Sequence, residues 1–203
     1  MQITVVDSAG FCFGVKKAVD SVYEALCDGE PIVVLGELIH NRQVIEDLKR
    51  RGVGTIESIE QCPEGAVLVI RTHGVGRQVE QRARQRAQRV LDLTCPYVAK
   101  IHKIVAEYSA KGYEIIIIGD AAHPEVIGIE GWCKNGAHVI DSEDDAKKLS
   151  CQMACVVAQT TSSKKKYENL IKIVKNNCQE AIFFDTICKS TKTRQLEAAE
   201  IAS

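Results

Sequence analysis

A unit of 83 residues recurs in this chain, and that repeat constrains the fold more than any other feature of the sequence. Cys12, Gly36 and His40 return as Cys95, Gly119 and His123, each pair 83 positions apart. Short apolar runs at 32–35 and 115–118 lead into the two glycines. A second pair, 67–70 and 156–158, opens into Arg71-Thr72-His73-Gly74 and Gln159-Thr160-Thr161, with Thr160 in the place of His73. Self-similarity at this period is the mark of repeated supersecondary units stacked on one another. The cysteine end of the unit occurs a third time. Residues 3–7, 90–92 and 181–185 are apolar runs ending in Asp, and each is followed within a few positions by Cys12, Cys95 or Cys188 and then a helical pattern. Each reads as a buried strand whose terminal loop delivers a cysteine to the mouth of a helix.

The apolar runs are unbroken, as in parallel strands covered on both faces by helices. Helical spacing appears over 14–28, 41–51, 77–89, 97–111 and 189–201, with shorter helices from 124, 142 and 164; further strands are expected at 66–70, 113–118, 137–140 and 154–158. The predicted fold is therefore α/β: a pseudo-threefold trefoil of small three-layer units with parallel sheets. The first unit is assigned to 13–95 and the second to 96–187. Residues 1–12 and 188–203 form what is present of a third, which the sequence enters only as far as its first helix.

Composition narrows the function classes. A net charge of −1 on 203 residues gives no reason to expect nucleic acid or a membrane surface as partner. The apolar stretch at 115–118 is far shorter than the roughly 20 residues of a membrane span. Residues 1–7 enter a strand at once, so no leader peptide is expected and the cytoplasm is the expected compartment. Nine cysteines cannot all pair, and without a leader they favour metal or catalytic use over a disulfide framework. Cys27, Cys62, Cys133, Cys151, Cys155 and Cys178 have no counterpart in the repeat and are read as plain small residues. Cys151 and Cys155 lack the spacing of a zinc pair.

Cys12, Cys95 and Cys188 are different, because equivalent positions in three units converge on one pseudo-threefold axis. Three thiolates can hold a cubane 4Fe-4S cluster with one iron lacking a protein ligand. A zinc site of three cysteines and a histidine is the runner-up, and soft thiolates accept either metal. Loops at the same sheet edge contribute His40, His73, His123, Glu125 and Thr160, a set of donors with one acid that suits a small anion in need of a proton. The glycine-flanked loop at 71–76 can bring bare backbone N–H groups close to phosphate oxygens. His102 and His138 are read as structural.

Seven motifs now stand in order: residues 9–15 (AGFCFGV), 36–41 (GELIHN), 71–74 (RTHG), 92–96 (DLTCP), 123–126 (HPEV), 159–161 (QTT) and 185–188 (DTIC). Together they resemble the 4-hydroxy-3-methylbut-2-enyl diphosphate reductase family, from residue 3 to about residue 195. The resemblance implies a trefoil of three α/β domains around a 4Fe-4S cluster held by Cys12, Cys95 and Cys188. It also implies His40 and His73 around a substrate diphosphate, His123 nearer the reacting end, Glu125 as proton-delivering acid and Thr160 assisting it. The implied reaction is reductive loss of an allylic hydroxyl to give isopentenyl and dimethylallyl diphosphates, with electrons from a small ferredoxin or flavodoxin. The alternative is a metal-binding or electron-carrying module that keeps the three cysteines without catalysis. Members of the family are longer and carry serine and asparagine diphosphate ligands in the third domain. This chain is therefore expected to bind substrate weakly by itself and to leave apolar surface uncovered.

Overall fold

The structure is a computed structural model and describes residues 4–202. The first unit runs α1 (Phe13–Cys27), β1 (Ile32–Leu35), α2 (Arg42–Arg50), β2 (Gly54–Ile56), a 3-10 turn (Ile59–Gln61), β3 (Val67–Ile70), α3 (Arg77–Arg86) and β4 (Arg89–Asp92). The second follows the same plan: α4 (Pro96–Ala110), β5 (Glu114–Ile118), α5 (Pro124–Glu130), β6 (His138–Ile140), α6 (Glu143–Lys148), β7 (Cys151–Ala158), α7 (Lys164–Asn177) and β8 (Cys178–Phe183). Helix α8 (Lys189–Ala202) comes last. Both sheets are wholly parallel, with strand orders β2-β1-β3-β4 and β6-β5-β7-β8, so the sequence repeat is one topology built twice.

The unbroken apolar strands are explained by helices on both faces. In β1, Ile32 and Val34 pack with Val22 of α1 and Leu48 of α2, whereas Val33 and Leu35 pack on the opposite face with Ala83 of α3. In β5, Ile115 and Ile117 face Ile101, Val105, Val126 and Ile129 of α4 and α5, while Ile116 and Ile118 face Leu170 and Val174 of α7. Alternation at period two thus separates two cores rather than core from solvent.

The units meet along a seam of glycines. A Cβ on Gly131 would lie 2.6 Å from the Gly76 Cα, and one on Gly128 would lie 3.5 Å from the Gly74 backbone, so the loop after β3 and helix α5 pack backbone to backbone. Trp132 Nε1–H donates to the Val75 carbonyl at 2.9 Å, and the Arg77 N–H donates to the Gly131 carbonyl at 3.2 Å. His102 of α4 stacks on Trp132, with ring centroids 5.2 Å apart, and is 5% exposed. Burial lowers its pKa to about 4 against a weaker upward pull from Asp92. In the unfolded chain the same imidazole takes up its proton near 6.5. Between those values the unfolded state binds more protons, so stability is lost as pH falls from about 6.5 to about 4, with His102 accounting for up to about 3 kcal/mol. Urea unfolding followed by the fluorescence of Trp132, the only tryptophan, should show that slope in the native chain and a shallower one in His102→Gln.

Three expectations need correction. Ile3 lies outside the described residues, and Thr4–Asp7 form no strand: among the described residues no strand pairs with them, and Val5 is 72% exposed. Cys151 and Cys178 are not plain residues. They are register partners on β7 and β8, with Cα atoms 4.8 Å apart, and their sulfurs are joined as a disulfide. Strand β2 was not foreseen, because Gly54–Ile56 is too short to show a period.

Candidate active site

The repeat places its chemistry by placing backbone. Cys12 and Cys95 are the N-caps of α1 and α4. Cys188 stands in the same relation to α8: its carbonyl accepts from the Lys192 N–H, as those of Cys12 and Cys95 accept from Lys16 and Ala99. No side chain caps α1 or α4, so the helix-end amides are free to face sulfur. The Tyr97 and Val98 N–H groups favour the Cys95 thiolate, although burial dominates and raises that thiol's pKa, with Cys188 and Cys12 adding to the rise. Gly14 leaves room beside this sulfur, since a Cβ there would come 3.1 Å from the Cys95 Sγ.

One bond is shared by the second and third cysteine loops. The Cys95 N–H donates to the Thr72 carbonyl at 2.9 Å, and the Cys188 N–H donates to the Thr160 carbonyl at 2.8 Å. By this bond Thr160 stands where Thr72 stands, not in the place of His73 that the sequence repeat assigned to it. The strand register agrees: Leu35 pairs with Ile70 and its repeat counterpart Ile118 with Ala158, so Thr72 and Thr160 each stand two positions past the paired strand end.

All three thiols open into one cavity of about 240 Å³, together with His40, His73, His123, Glu125 and Thr160. Every site residue expected from the sequence therefore lines a single space. The imidazoles form one wall, with ring centroids 4.3 Å apart for His40 and His73, 5.4 Å for His40 and His123, and 5.5 Å for His73 and His123. One nitrogen from each lies within 4.8 Å of the other two, close enough to clasp a metal ion. The hydrogen bonding argues for an anion instead. The Glu125 N–H donates to His123 Nδ1 at 3.1 Å, which leaves the proton of a neutral His123 on Nε2 and makes that nitrogen a donor. Burial lowers the His73 pKa to about 3, helped by His40, His123 and Arg71, and lowers that of His123 for the same leading reason. His73 Nδ1 is buried without a hydrogen-bond partner. With the pKa values of His73 and His123 lowered and the His73 Nδ1 unspent, this wall can offer neutral N–H donors to phosphate oxygens.

Glu125 is 2% exposed in the first turn of α5. Its carboxyl is held by Thr160, whose N–H donates to Oε1 at 2.6 Å and whose hydroxyl donates to Oε2 at 2.7 Å. Burial raises its pKa, and the Thr160 bonds oppose the rise without cancelling it. The hydroxyl bond can reverse, with a protonated carboxyl donating to Thr160 Oγ1, so the pair accommodates either protonation state.

Sequence patterns missed the tie that closes the cavity. Arg194 on α8 donates to the carbonyls of Ser8 and Gly10 at 3.0 and 2.7 Å, and Glu197 accepts from the Asp7 and Ser8 N–H groups at 2.6 and 3.1 Å. Together they bind the segment before Cys12 to the helix after Cys188. Their partners lie 184 to 190 positions away, where no local pattern reaches. Val5, Phe11, Phe13, Tyr97, Ile127, Leu196 and Ile201 are the exposed large apolar side chains among the described residues.

Residues 3–203 match the model of the LytB protein family. The chain belongs to the LytB family. Among curated LytB relatives, the 4-hydroxy-3-methylbut-2-enyl diphosphate reductase of Thermoanaerobacter sp. (strain X514) is 44% identical, the alignment covering 100% of this chain and 72% of the relative. That of Clostridioides difficile (strain 630) is 40% identical, with 100% and 74% covered. A solved structure of (E)-4-hydroxy-3-methyl-but-2-enyl diphosphate reductase, described as the terminal enzyme of the non-mevalonate pathway, superposes with a TM-score of 0.80 at 34% identity, over 98% of this chain and 73% of that one. The reductase from Plasmodium falciparum gives 0.87 at 32% identity, over 95% and 62%. The α/β fold of this LytB chain is thus that of the reductases. No helix among its described residues is long and apolar enough to cross a membrane.

Proposed function

We propose that this chain catalyses the reductive dehydroxylation of 4-hydroxy-3-methylbut-2-enyl diphosphate to isopentenyl and dimethylallyl diphosphates, working in the cytoplasm. Two electrons and two protons enter, the allylic C–O bond breaks, a C–H bond forms and water leaves. The observation that carries this reading is the company of Glu125: a buried acid held by Thr160 opens into the same cavity as three thiols and three imidazoles.

The thiols fit an iron-sulfur cluster better than a single ion. They surround one cavity from three helix starts, yet among the described residues only the histidines bring three ligand atoms within 4.8 Å of one another. Zinc held by three cysteines needs its sulfurs closer than that, at about 2.3 Å from one metal. Cys12, Cys95 and Cys188 would hold a 4Fe-4S cluster with one iron lacking a protein ligand. When bound, that group supplies electrons and a Lewis-acidic site, and a small ferredoxin or flavodoxin would recharge it.

The remaining work belongs to the chain. His40, His73 and His123 donate N–H groups to the diphosphate, with His123 nearest the reacting end and its donor fixed on Nε2 by the Glu125 amide. Burial raises the pKa of Glu125, against the pull of its Thr160 bonds, and so favours the protonated form that can donate. Thr160 orients that carboxyl and can pass the proton across their shared hydrogen bond. Residues 13–95 and 96–187 would act as two walls of the pocket, with 1–12 and 188–203 contributing to a third.

A carrier of electrons has no use for a buried carboxyl with a raised pKa, which weighs against the non-catalytic alternative. The test is anaerobic reconstitution with iron and sulfide, followed by a reduced low-potential dye. Addition of the allylic diphosphate should cause dye oxidation and yield the two isomeric products. Dye oxidation that is indifferent to the diphosphate would instead support an electron carrier.

A further inference from the structure

A second cavity, of about 310 Å³, lies behind the histidine wall. The two spaces are lined by neighbouring residues of the same backbone segments. Gly36, Gly74 and Pro124 face the rear cavity, while His40, His73 and His123 face the front one. The rear volume is at the lower end of the range for small-molecule sites.

Its lining combines an apolar body with a cation, Arg71, that no carboxylate among the described residues pairs with directly. Leu35, Ile59, Val75, Val79 and Ile127 supply the apolar surface. Arg82 also lines the cavity, but its charge is taken by Glu60 in an ion pair. Arg71 differs. Its guanidinium fills the space that a side chain at Gly36 would need, and its Nε is buried without a hydrogen-bond partner. Glu57, on the exposed rim, and Glu37 act on Arg71 only through space, and burial outweighs both in lowering its pKa. A buried donor of this kind is costly unless something accepts from it. A guanidinium fork matches the paired oxygens of an oxyanion.

We propose that the rear cavity is a second ligand site, taking a small apolar molecule with a single oxyanion group and anchored by Arg71. The oxyanion can be a carboxylate or a phosphate. Neither Arg71 nor Ile127 lines the thiol cavity, so binding here is read separately from the proposed reduction, although Arg71 also acts through space on His73 and His123.

The test is a titration of the full chain followed by backbone amide NMR, with isovalerate, isoamyl alcohol and inorganic phosphate as probes. Isovalerate should shift the signals of Gly76, Val79 and Ile127 saturably, and the alcohol, which lacks the charge, should bind about tenfold more weakly or less. Arg71→Gln should weaken isovalerate binding by about tenfold or more. Ile127→Glu, at a position 54% exposed where the fold tolerates the change, should weaken it comparably. Saturable binding of phosphate as well would identify the oxyanion as either kind; its failure beside a positive isovalerate result would restrict it to carboxylate. The proposal is overturned if isovalerate gives no saturable shift, if Arg71→Gln titrates like the native chain, if phosphate binds and isovalerate does not, or if the shifts fall on Thr161, Cys188 and Ser190 instead.

Discussion

Glu125→Gln is expected to lower turnover of the allylic diphosphate by about 10²- to 10⁴-fold, the range for removing a positioned acid, while iron and sulfide content stay at the native level. Glutamine has the shape of glutamic acid and can keep both contacts, its carbonyl accepting from the Thr160 N–H and its amide donating to the Thr160 hydroxyl. Only the transferable proton is lost. The effect on stability separates chemistry from folding. Burial raises the pKa of Glu125, so its folded-state interactions favour the protonated form, fully present below the unfolded value near 4.3. That contribution is lost as pH rises through the raised folded value. Above it the native protein must bury a charge that glutamine does not carry. Glu125→Gln should therefore be at least as resistant to urea as the native chain at pH 8, and more clearly so than at pH 4. Native-like turnover in this variant would remove Glu125 from the mechanism. A loss of activity matched by a fall in stability at pH 8 would make it a structural residue instead.

Cys95→Ser has the second large effect, on cofactor binding. After anaerobic reconstitution the variant is expected to hold almost no iron or sulfide and to lack the brown charge-transfer absorption, because two thiolates do not secure a cubane cluster. Serine is a better N-cap than cysteine, and no side chain caps α4. The unliganded variant should thus fold with equal or slightly higher stability, and loss of iron cannot be attributed to an unfolded helix. Cys62→Ser and Cys155→Ser are the controls. Both thiols are buried in hydrophobic clusters away from the cavity, so these variants should bind iron fully. Iron retained by Cys95→Ser would remove the central ligand and with it the iron-sulfur reading.

Much of this arrangement could be read before any coordinates, and the reasons are local. The alternation of the apolar strands, the caps and the 83-residue spacing of Cys12, Gly36 and His40 with Cys95, Gly119 and His123 depend on neighbours a few positions apart. They fix strand, helix and loop, and hence the sheet edge where each cysteine and histidine emerges. Thr4–Asp7 misled because an apolar run becomes a strand only when paired with another strand, and no strand among the described residues pairs with it.

The amino-acid sequence by itself therefore determined the parallel α/β units and the residues that meet at their common edge. Tertiary structure alone decided how those residues are tuned. The His123 donor nitrogen is set by the amide of Glu125, the carboxyl of Glu125 by Thr160 in the loop after β7, and the tie between the segment before Cys12 and the helix after Cys188 by Arg194 and Glu197. It also decided the backbone contact of Gly76 with Gly131, the pairing of Cys151 with Cys178 and the buried, unpartnered Nε of Arg71. Protonation and hydrogen-bond satisfaction depend on burial and on partners distant in the chain, and these exist only once the units have packed together.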